Sequence, residues 1–156
     1  MGKLQPTRDW RRGGALMSEG LHLATISMVQ VRPQQSDPSK HVVIATFEEV
    51  NDGSRAYQSF TLSQDFAIDR LAGLLEVVGA KIPPALQEHE GWRQTAPEKI
   101  QRFLSDVLEG RTVGVVVSHR EGQRGTIANV DQVMTAEEAQ RAGGPEVVDE
   151  AVDVDF

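Results

Sequence analysis

The spacing of apolar residues along the chain changes twice, and these changes restrict the fold more than any other feature of the sequence. Three segments that alternate between apolar and polar side chains come first, as is typical of β-strands. Two segments with apolar residues every three or four positions follow, as is typical of amphipathic helices, and then alternation returns. The predicted strands are residues 21–32, 41–50, 54–63, 111–120 and 125–135, and the predicted helices are residues 63–79 and 95–110.

Turn-forming residues separate these segments. Residues 33–40 contain two prolines and several polar residues, which predicts a loop. The sequence Asn51-Asp52-Gly53 supplies residues that tolerate a positive φ, as a tight hairpin requires. Gly79 is placed to end the first helix, and residues 95–98 predict a capping box for the second, with a proline at its first helical position.

Three strands, a helical insertion and two further strands are the element order of an OB-fold. This is a small, partly open five-stranded barrel, so the predicted fold class is mainly β with α. An open antiparallel sheet with helices on one face has the same element order and is the competing topology. The predicted organisation is a basic flexible leader (1–17), an OB-fold-like domain (18–136) and an acidic disordered tail (137–156).

The charges are concentrated at the two ends of the chain. Residues 1–17 hold four bases and one acid, whereas residues 137–156 hold seven acids and one base, within a formal net charge of −7. This acidity argues against indiscriminate coating of duplex DNA, although a local basic groove is compatible with it. The chain has no cysteine and therefore no disulfide or thiolate metal site. No export signal or membrane span is evident, so we expect a cytoplasmic protein.

The sequence contains little that indicates catalysis. It has no phosphate-binding glycine loop, no G-x-S-x-G elbow and no H-E-x-x-H motif, so we predict that the protein is not an enzyme and needs no cofactor or metal. The cluster Glu88-His89-Glu90 is the nearest approach to a metal or acid/base site, because its side chains could converge on a cation. A metal-dependent enzyme that uses these three residues is accordingly a rival interpretation.

Basic residues lie where an OB-fold binds its ligands, which is across the second and third strands and between two of its loops. If Phe47 and Phe60 face inward, alternation places Tyr57 on the outer surface of the third strand. Cations would then follow the phosphates of a single strand while the ring stacks on a base. The predicted nucleic-acid-binding residues are Arg32, Lys40, Arg55, Tyr57, Arg120 and Arg124.

The chain ends on an acidic peptide that closes with an aromatic residue. Such a composition cannot bury enough apolar surface to become ordered alone, so we expect a solvated tail. Asp153, Asp155 and Phe156 would present an apolar anchor flanked by carboxylates to a basic pocket on another protein. A second hypothesis is that this polyanionic tail occupies the groove when DNA is absent.

Several short motifs give the chain a resemblance to a known family. They are Gly20-Leu-His-Leu-Ala-Thr-Ile, Val43-Ile-Ala-Thr-Phe-Glu-Glu-Val with Asn-Asp-Gly after it, Tyr57-Gln-Ser-Phe-Thr-Leu, the Leu71 to Gly79 helix and Leu108-Glu-Gly-Arg-Thr-Val-Gly-Val-Val-Val. Together they span roughly residues 18–135, and the chain resembles the phage-associated "domain of unknown function 669" proteins. The resemblance implies a phage single-stranded DNA-binding protein that acts in replication and recombination. The tail is also similar to the acidic, phenylalanine-terminated ends of bacterial and phage single-stranded DNA-binding proteins, without the proline that often precedes the last residue.

The function predicted from the sequence is therefore a non-enzymatic protein that coats single-stranded DNA without strong sequence preference. Its tail would recruit replication or recombination proteins. The alternative is an OB-like adaptor in a phage replication, recombination or virion complex that binds no nucleic acid. The sequence leaves open a homo-oligomer formed through an edge strand, the choice between DNA and RNA, and whether the basic leader around Trp10 contacts DNA.

Overall fold

The strands and the two long helices form where the spacing of apolar residues predicts them. The computed structural model describes residues 15–143. In chain order its elements are β1 (Gly20–Pro33), β2 (His41–Glu49), β3 (Arg55–Thr61), α1 (Asp65–Val77), a 3-10 turn (Pro84–Leu86), α2 (His89–Gln94), α3 (Pro97–Leu108), β4 (Thr112–Gly122), β5 (Gly125–Thr135) and α4 (Ala136–Arg141). None of the helices among these residues is long and apolar enough to cross a membrane.

The five strands form one closed sheet in the order β1-β2-β3-β5-β4, with β4 pairing back onto β1. The competing open sheet is therefore wrong. Neighbouring strands are antiparallel except β3 and β5, which run parallel and pair at Tyr57 and Asn129. Closure depends on the bend of β1, whose register with β2 shifts between Ile26 and Met28. A bulge of this kind bends a strand, so one half of β1 can pair with β4 while the other half continues along β2.

Among residues 15–143, no strand covers one edge of the second half of β1, and two side chains at the α3 end of the helical insertion cover it instead. The Gln101 side chain accepts a hydrogen bond from Val31 N at 2.7 Å and donates one to Val29 O at 2.6 Å. The Glu109 carboxylate accepts a hydrogen bond from Val29 N at 2.9 Å. Gln101 thus supplies the donor and acceptor that a peptide group of a neighbouring strand would supply. This edge is not free to pair with a second copy of the chain.

We expect Gln101→Ala to lower the free energy of unfolding by about 1 to 2 kcal/mol, because Val31 N and Val29 O both lose their partner. Urea denaturation measures the change. Gln94→Ala is the matched control, since Gln94 is exposed on α2. Equal stability of the two variants would show that water replaces Gln101 at the edge without loss.

The core lies inside the closed sheet and extends under the helices. Phe47 and Phe60 are fully buried, as the predicted alternation requires. Helix α1 packs against β3 and β5, and α3 packs against β1. Trp92, on α2, is buried with them, and its Nε1 donates a hydrogen bond to Leu86 O at 2.8 Å. The helical insertion therefore shares one core with the strands.

Several local features differ from the sequence predictions. The capping box predicted at residues 95–98 does not form, because Thr95 Oγ1 donates to Gly91 O at 2.7 Å and α3 begins after Ala96 without a side-chain cap. Pro97 does occupy the first helical position. The short helix α2 was not predicted, since six residues are too few to show a period.

The ordered domain also extends beyond both of its predicted boundaries, which were residues 18 and 136. Residues 137–141 were assigned to the disordered tail, but they belong to α4, which a capping box between Thr135 and Glu138 begins. The Glu138 carboxylate accepts a hydrogen bond from Thr135 N at 3.0 Å, while Glu138 N donates to Thr135 Oγ1 at 3.0 Å. The hydrogen bond from the Thr135 backbone holds the pKa of Glu138 below its usual value. At the other end, Met17 is buried and its N donates to Arg55 O at 2.9 Å, so the last part of the predicted leader is ordered.

Candidate nucleic-acid interface

The outer surface of β1, β2 and β3 is the candidate interface, called here the outer face. Burial alternates along β3, with Ala56, Gln58 and Phe60 buried and Tyr57 and Ser59 exposed. Tyr57 has 37% of its surface exposed. Its predicted outward orientation is confirmed, and the ring is available for stacking.

The strand register brings residues distant in the sequence into rows across the outer face. One row crosses β1, β2 and β3 at Met28, Thr46 and Tyr57. Neighbouring strands lie about 4.8 Å apart, so these side chains are direct neighbours. The next two rows toward the β1–β2 loop contain Gln30, Ile44 and Ser59, and then Arg32, Val42 and Thr61.

Arg32 lies at the end of the outer face, where the β1–β2 loop begins. Its Nη2 donates a hydrogen bond to the neutral Gln30 Oε1 at 2.7 Å, and the guanidinium forms no ion pair with residues 15–143. A concave surface of 630 Å³ is present here between the loop and β2. It is lined by Arg32, Pro33, Gln34, Gln35, Ser36, Val42 and Ile44.

Arg120 and Arg124 lie toward the opposite end of the outer face. Arg120 pairs with Ile127 in the β4–β5 hairpin, one row beyond the pair of Ser118 with Asn129. Asn129 in turn pairs with Tyr57, which connects the hairpin to the outer face. Arg124 lies in the turn of the hairpin, and neither arginine forms an ion pair with any residue in 15–143.

The other two predicted cations each have an acidic partner. Arg55 Nη2 lies 3.2 Å from the Glu48 carboxylate, its cross-strand neighbour, and Lys40 Nζ lies 3.8 Å from the Asp37 carboxylate. Hydrogen bonds from Ser39 hold the pKa of Asp37 below its usual value, so this acid remains charged near neutral pH. Exposed pairs of this kind are weak, and a phosphate could compete for either cation.

Lys40 also faces a second cavity, of 380 Å³, at the end of the barrel beside the β1–β2 loop. The cavity has an apolar floor and a polar rim. Its lining residues are Val31, Ser39, Lys40, His41, Leu62, Ser63, Trp92, Arg93, Thr95, Pro97 and Ile100. The structure therefore separates Lys40 from Arg32 by placing them at different concave surfaces, although both lie beside one loop.

Glu88, His89 and Glu90 do not converge on a common point. His89 Nε2 lies 2.8 Å from the Asp69 carboxylate, and Arg93 bonds both Asp65 and Glu90. The Arg93 guanidinium holds the pKa of Asp65 below its usual value. This network joins α1 to α2, and no cluster of three or more His, Asp or Glu side chains within residues 15–143 is arranged to hold a metal ion.

Several residues of the outer face were not predicted from the sequence, including Met28, Gln30 and Asn129. Alternation in β1 indicates outward residues, but the register shift near Ser27 changes which ones face out. The predicted partner-binding residues Asp153, Asp155 and Phe156 lie outside the described residues. The basic residues around Trp10 also lie outside them.

No protein-family model matches the chain, and no curated protein matches it. The chain is similar to a solved structure described as yeast RPA bound to ssDNA, with 9% sequence identity and a TM-score of 0.42. The alignment covers 86% of this chain and 88% of that chain.

Proposed function

We propose that this protein is an OB-fold protein that binds single-stranded DNA along the outer face without strong sequence preference. The observation that carries the proposal is the exposed ring of Tyr57 on the β2–β3 surface, with arginines toward both ends that form no ion pair with residues 15–143. The closed order β1-β2-β3-β5-β4 with helices between β3 and β4 supports the OB-fold assignment. In OB-folds the surface of the second and third strands and the adjoining loops bind oligonucleotides.

The charges and the ring would have separate tasks in this interface. Arg32 at one end and Arg120 with Arg124 at the other would contact phosphates, while Lys40 and Arg55 would exchange their carboxylate partners for phosphates. Tyr57 would stack on one base. Because every base has a π-face and phosphates carry no sequence information, such an interface discriminates little between sequences.

A titration of fluorescent oligonucleotide at two salt concentrations tests the proposal. Each phosphate contact with a single strand releases counterions, so affinity should fall as salt rises. Binding of single strands that weakens with salt, with much weaker binding of duplex, is the expected result. Absence of binding at low salt would refute the proposal.

Tyr57→Ala is expected to weaken binding by roughly 5- to 150-fold, because stacking on one base contributes about 1 to 3 kcal/mol. The slope of affinity against salt should not change, since no charge is removed. Tyr57→Phe should retain most of the affinity, and Ser59→Ala, on the same face, serves as the control. A loss in Tyr57→Phe equal to that in Tyr57→Ala would show that the hydroxyl, rather than the ring face, is the important group.

The alternative function is a protein-interaction adaptor, and one observation favours it. Met28 is 41% exposed beside Tyr57, and Val42 and Ile44 lie on the same surface. Such a patch fits an apolar partner as well as a base. The adaptor predicts no salt-dependent binding of oligonucleotide, so the titration described above separates the two functions.

We further propose a phage replication or recombination role, with Asp153, Asp155 and Phe156 recruiting partner proteins. The resemblance of the short sequence motifs and the acidic, aromatic end of the chain support this part of the proposal.

A further inference from the structure

The most exposed large apolar side chain within residues 15–143 is Phe66, in the first turn of α1, with 60% of its surface exposed. Single apolar side chains on a protein surface are common, so exposure alone assigns no role to the ring. Phe66 differs from an ordinary surface residue in its place beside the outer face and in the cation that lies one helical turn away.

Helix α1 has two exposed flanks, and one of them faces α2. A helix makes 3.6 residues per turn, so the buried residues form a stripe with one flank on each side. Asp65 and Asp69 lie on the flank that faces α2, where Asp69 bonds His89. Phe66 and Arg70 lie on the opposite flank, called here the Phe66 flank. The buried residues between the two flanks are Ala67, Ile68, Leu71, Leu74 and Leu75.

The Phe66 flank faces β3 and β5. Arg70 lines a cavity between these two strands, and its Cζ lies 5.8 Å from the centre of the Phe60 ring on β3. Phe60 lies between Ser59 and Thr61, which belong to the outer face. Gln64 N donates a hydrogen bond to Thr61 O at 3.0 Å, so the chain turns directly from the outer face into α1. The Phe66 flank therefore continues the outer face beyond β3.

Phe66 and Arg70 supply a ring and a cation side by side. Positions four residues apart on a helix have Cβ atoms about 5 to 6 Å from each other. Arg70 forms no ion pair with residues 15–143. Asp131, across the cavity, accepts a hydrogen bond from Asn129 Nδ2 at 2.9 Å and does not pair with Arg70. A stacking ring next to an available cation is the combination that binds a base and its phosphate in a single strand.

We propose that the bound strand leaves the outer face beside Thr61 and continues along the Phe66 flank, with one base stacked on Phe66 and a phosphate beside Arg70. Tyr57 and Thr61 are four residues apart on β3, which is about 13 Å at 3.3 Å per residue, so Tyr57 and Phe66 would hold different bases. This inference rests on the proposed function and deepens it, because it adds a second stacking residue and extends the site from the sheet onto α1.

The first test titrates Phe66→Ala and Phe66→Leu with a single strand of about 16 nucleotides, the upper end of the site size of one OB-fold. Both variants should bind roughly 5- to 150-fold more weakly than the wild type, with an unchanged salt slope, because each removes a stacking ring but no charge. Their melting temperatures should stay close to that of the wild type, since the ring is exposed. Leucine keeps an apolar side chain, so wild-type affinity in Phe66→Leu would overturn the stacking role.

The second test concerns the phosphate contact. Arg70→Ala should flatten the slope of log affinity against log salt by about 0.7, the value for one contact with a single strand. Lys81→Ala is the matched control, because Lys81 lines a concave surface with Asp69 on the other side of α1. It should leave the slope nearly unchanged. A slope in Arg70→Ala equal to that of the wild type would overturn the phosphate contact.

A third measurement observes the ring position directly. In Phe66→Trp, fluorescence should be quenched by the oligonucleotide more strongly than in the wild type, which reports only Trp10 and Trp92. Weaker binding in Tyr57→Ala together with wild-type affinity in Phe66→Ala would overturn this inference and leave the proposed function intact. Failure of the wild type to bind the oligonucleotide would instead overturn the proposed function itself.

Discussion

Replacing Arg32, Arg120 and Arg124 together with alanine is expected to weaken single-stranded DNA binding roughly 100-fold or more at about 50 mM salt. Each phosphate contact with a single strand contributes about 0.7 to the slope of log affinity against log salt. Loss of three contacts should therefore flatten this slope by about 2. The three arginines are the predicted cations without an acidic partner in residues 15–143, so their charges are the most available to phosphates.

The matched control removes the same charge elsewhere. Lys81, Lys99 and Arg141 are exposed and none of them lies on a strand, so Lys81→Ala, Lys99→Ala and Arg141→Ala together should change affinity only slightly. Fluorescence anisotropy over a range of salt concentrations measures both variants. Equal losses in the two variants would mean that DNA responds to net charge rather than to the outer face.

Gly91→Ala is expected to lower the free energy of unfolding by about 3 kcal/mol, at the upper end of the range for overpacked positions. A Cβ at Gly91 would lie 1.8 Å from Ala85 O and 2.9 Å from Ala85 C, and both are backbone atoms that a side-chain rotation cannot move. The adjacent Trp92, which is only 2% exposed, would have to shift with α2. Urea denaturation followed by tryptophan fluorescence measures the effect.

Gly73→Ala is the control for the same chemical change in a helix. A Cβ at Gly73 meets nothing within 4 Å, so alanine should stabilise α1 by about 0.5 to 1 kcal/mol through its better helix propensity. A stable Gly91→Ala variant would show that the turn at Pro84–Leu86 can move away from α2 at little cost.

The elements and the outward orientation of Tyr57 could be predicted because both depend on local periodicity. The element boundaries near residues 95 and 137 were not predicted correctly. At the first, Thr95 bonds the end of the unpredicted α2 rather than the start of α3. At the second, acidic residues typical of a disordered tail instead form a capped helix that packs against β4. At residue 95 a contact with α2 therefore overrides the local signal, whereas at residue 137 the Thr-x-x-Glu spacing of the capping box is itself a local signal, which the acidic composition of the segment obscured.

The cations of the candidate interface could be predicted from the sequence, but which of them have an acidic partner in the fold could not. Arg55 forms an ion pair because the β2–β3 register places Glu48 opposite it, whereas Arg32 donates to the neutral Gln30 and has no acidic partner within residues 15–143.

The sequence by itself determined the five strands, the two long helices and the inward side of β3, because side-chain direction repeats over two or about 3.6 residues within one segment. Tertiary structure alone decided that the sheet closes, that α3 covers the free edge of β1 and that three arginines have no acidic partner within residues 15–143. These features depend on pairs of residues far apart in the chain, such as Gln101 with Val31 and Tyr57 with Asn129. No pattern within one segment of the sequence shows that two such residues lie close together in the fold.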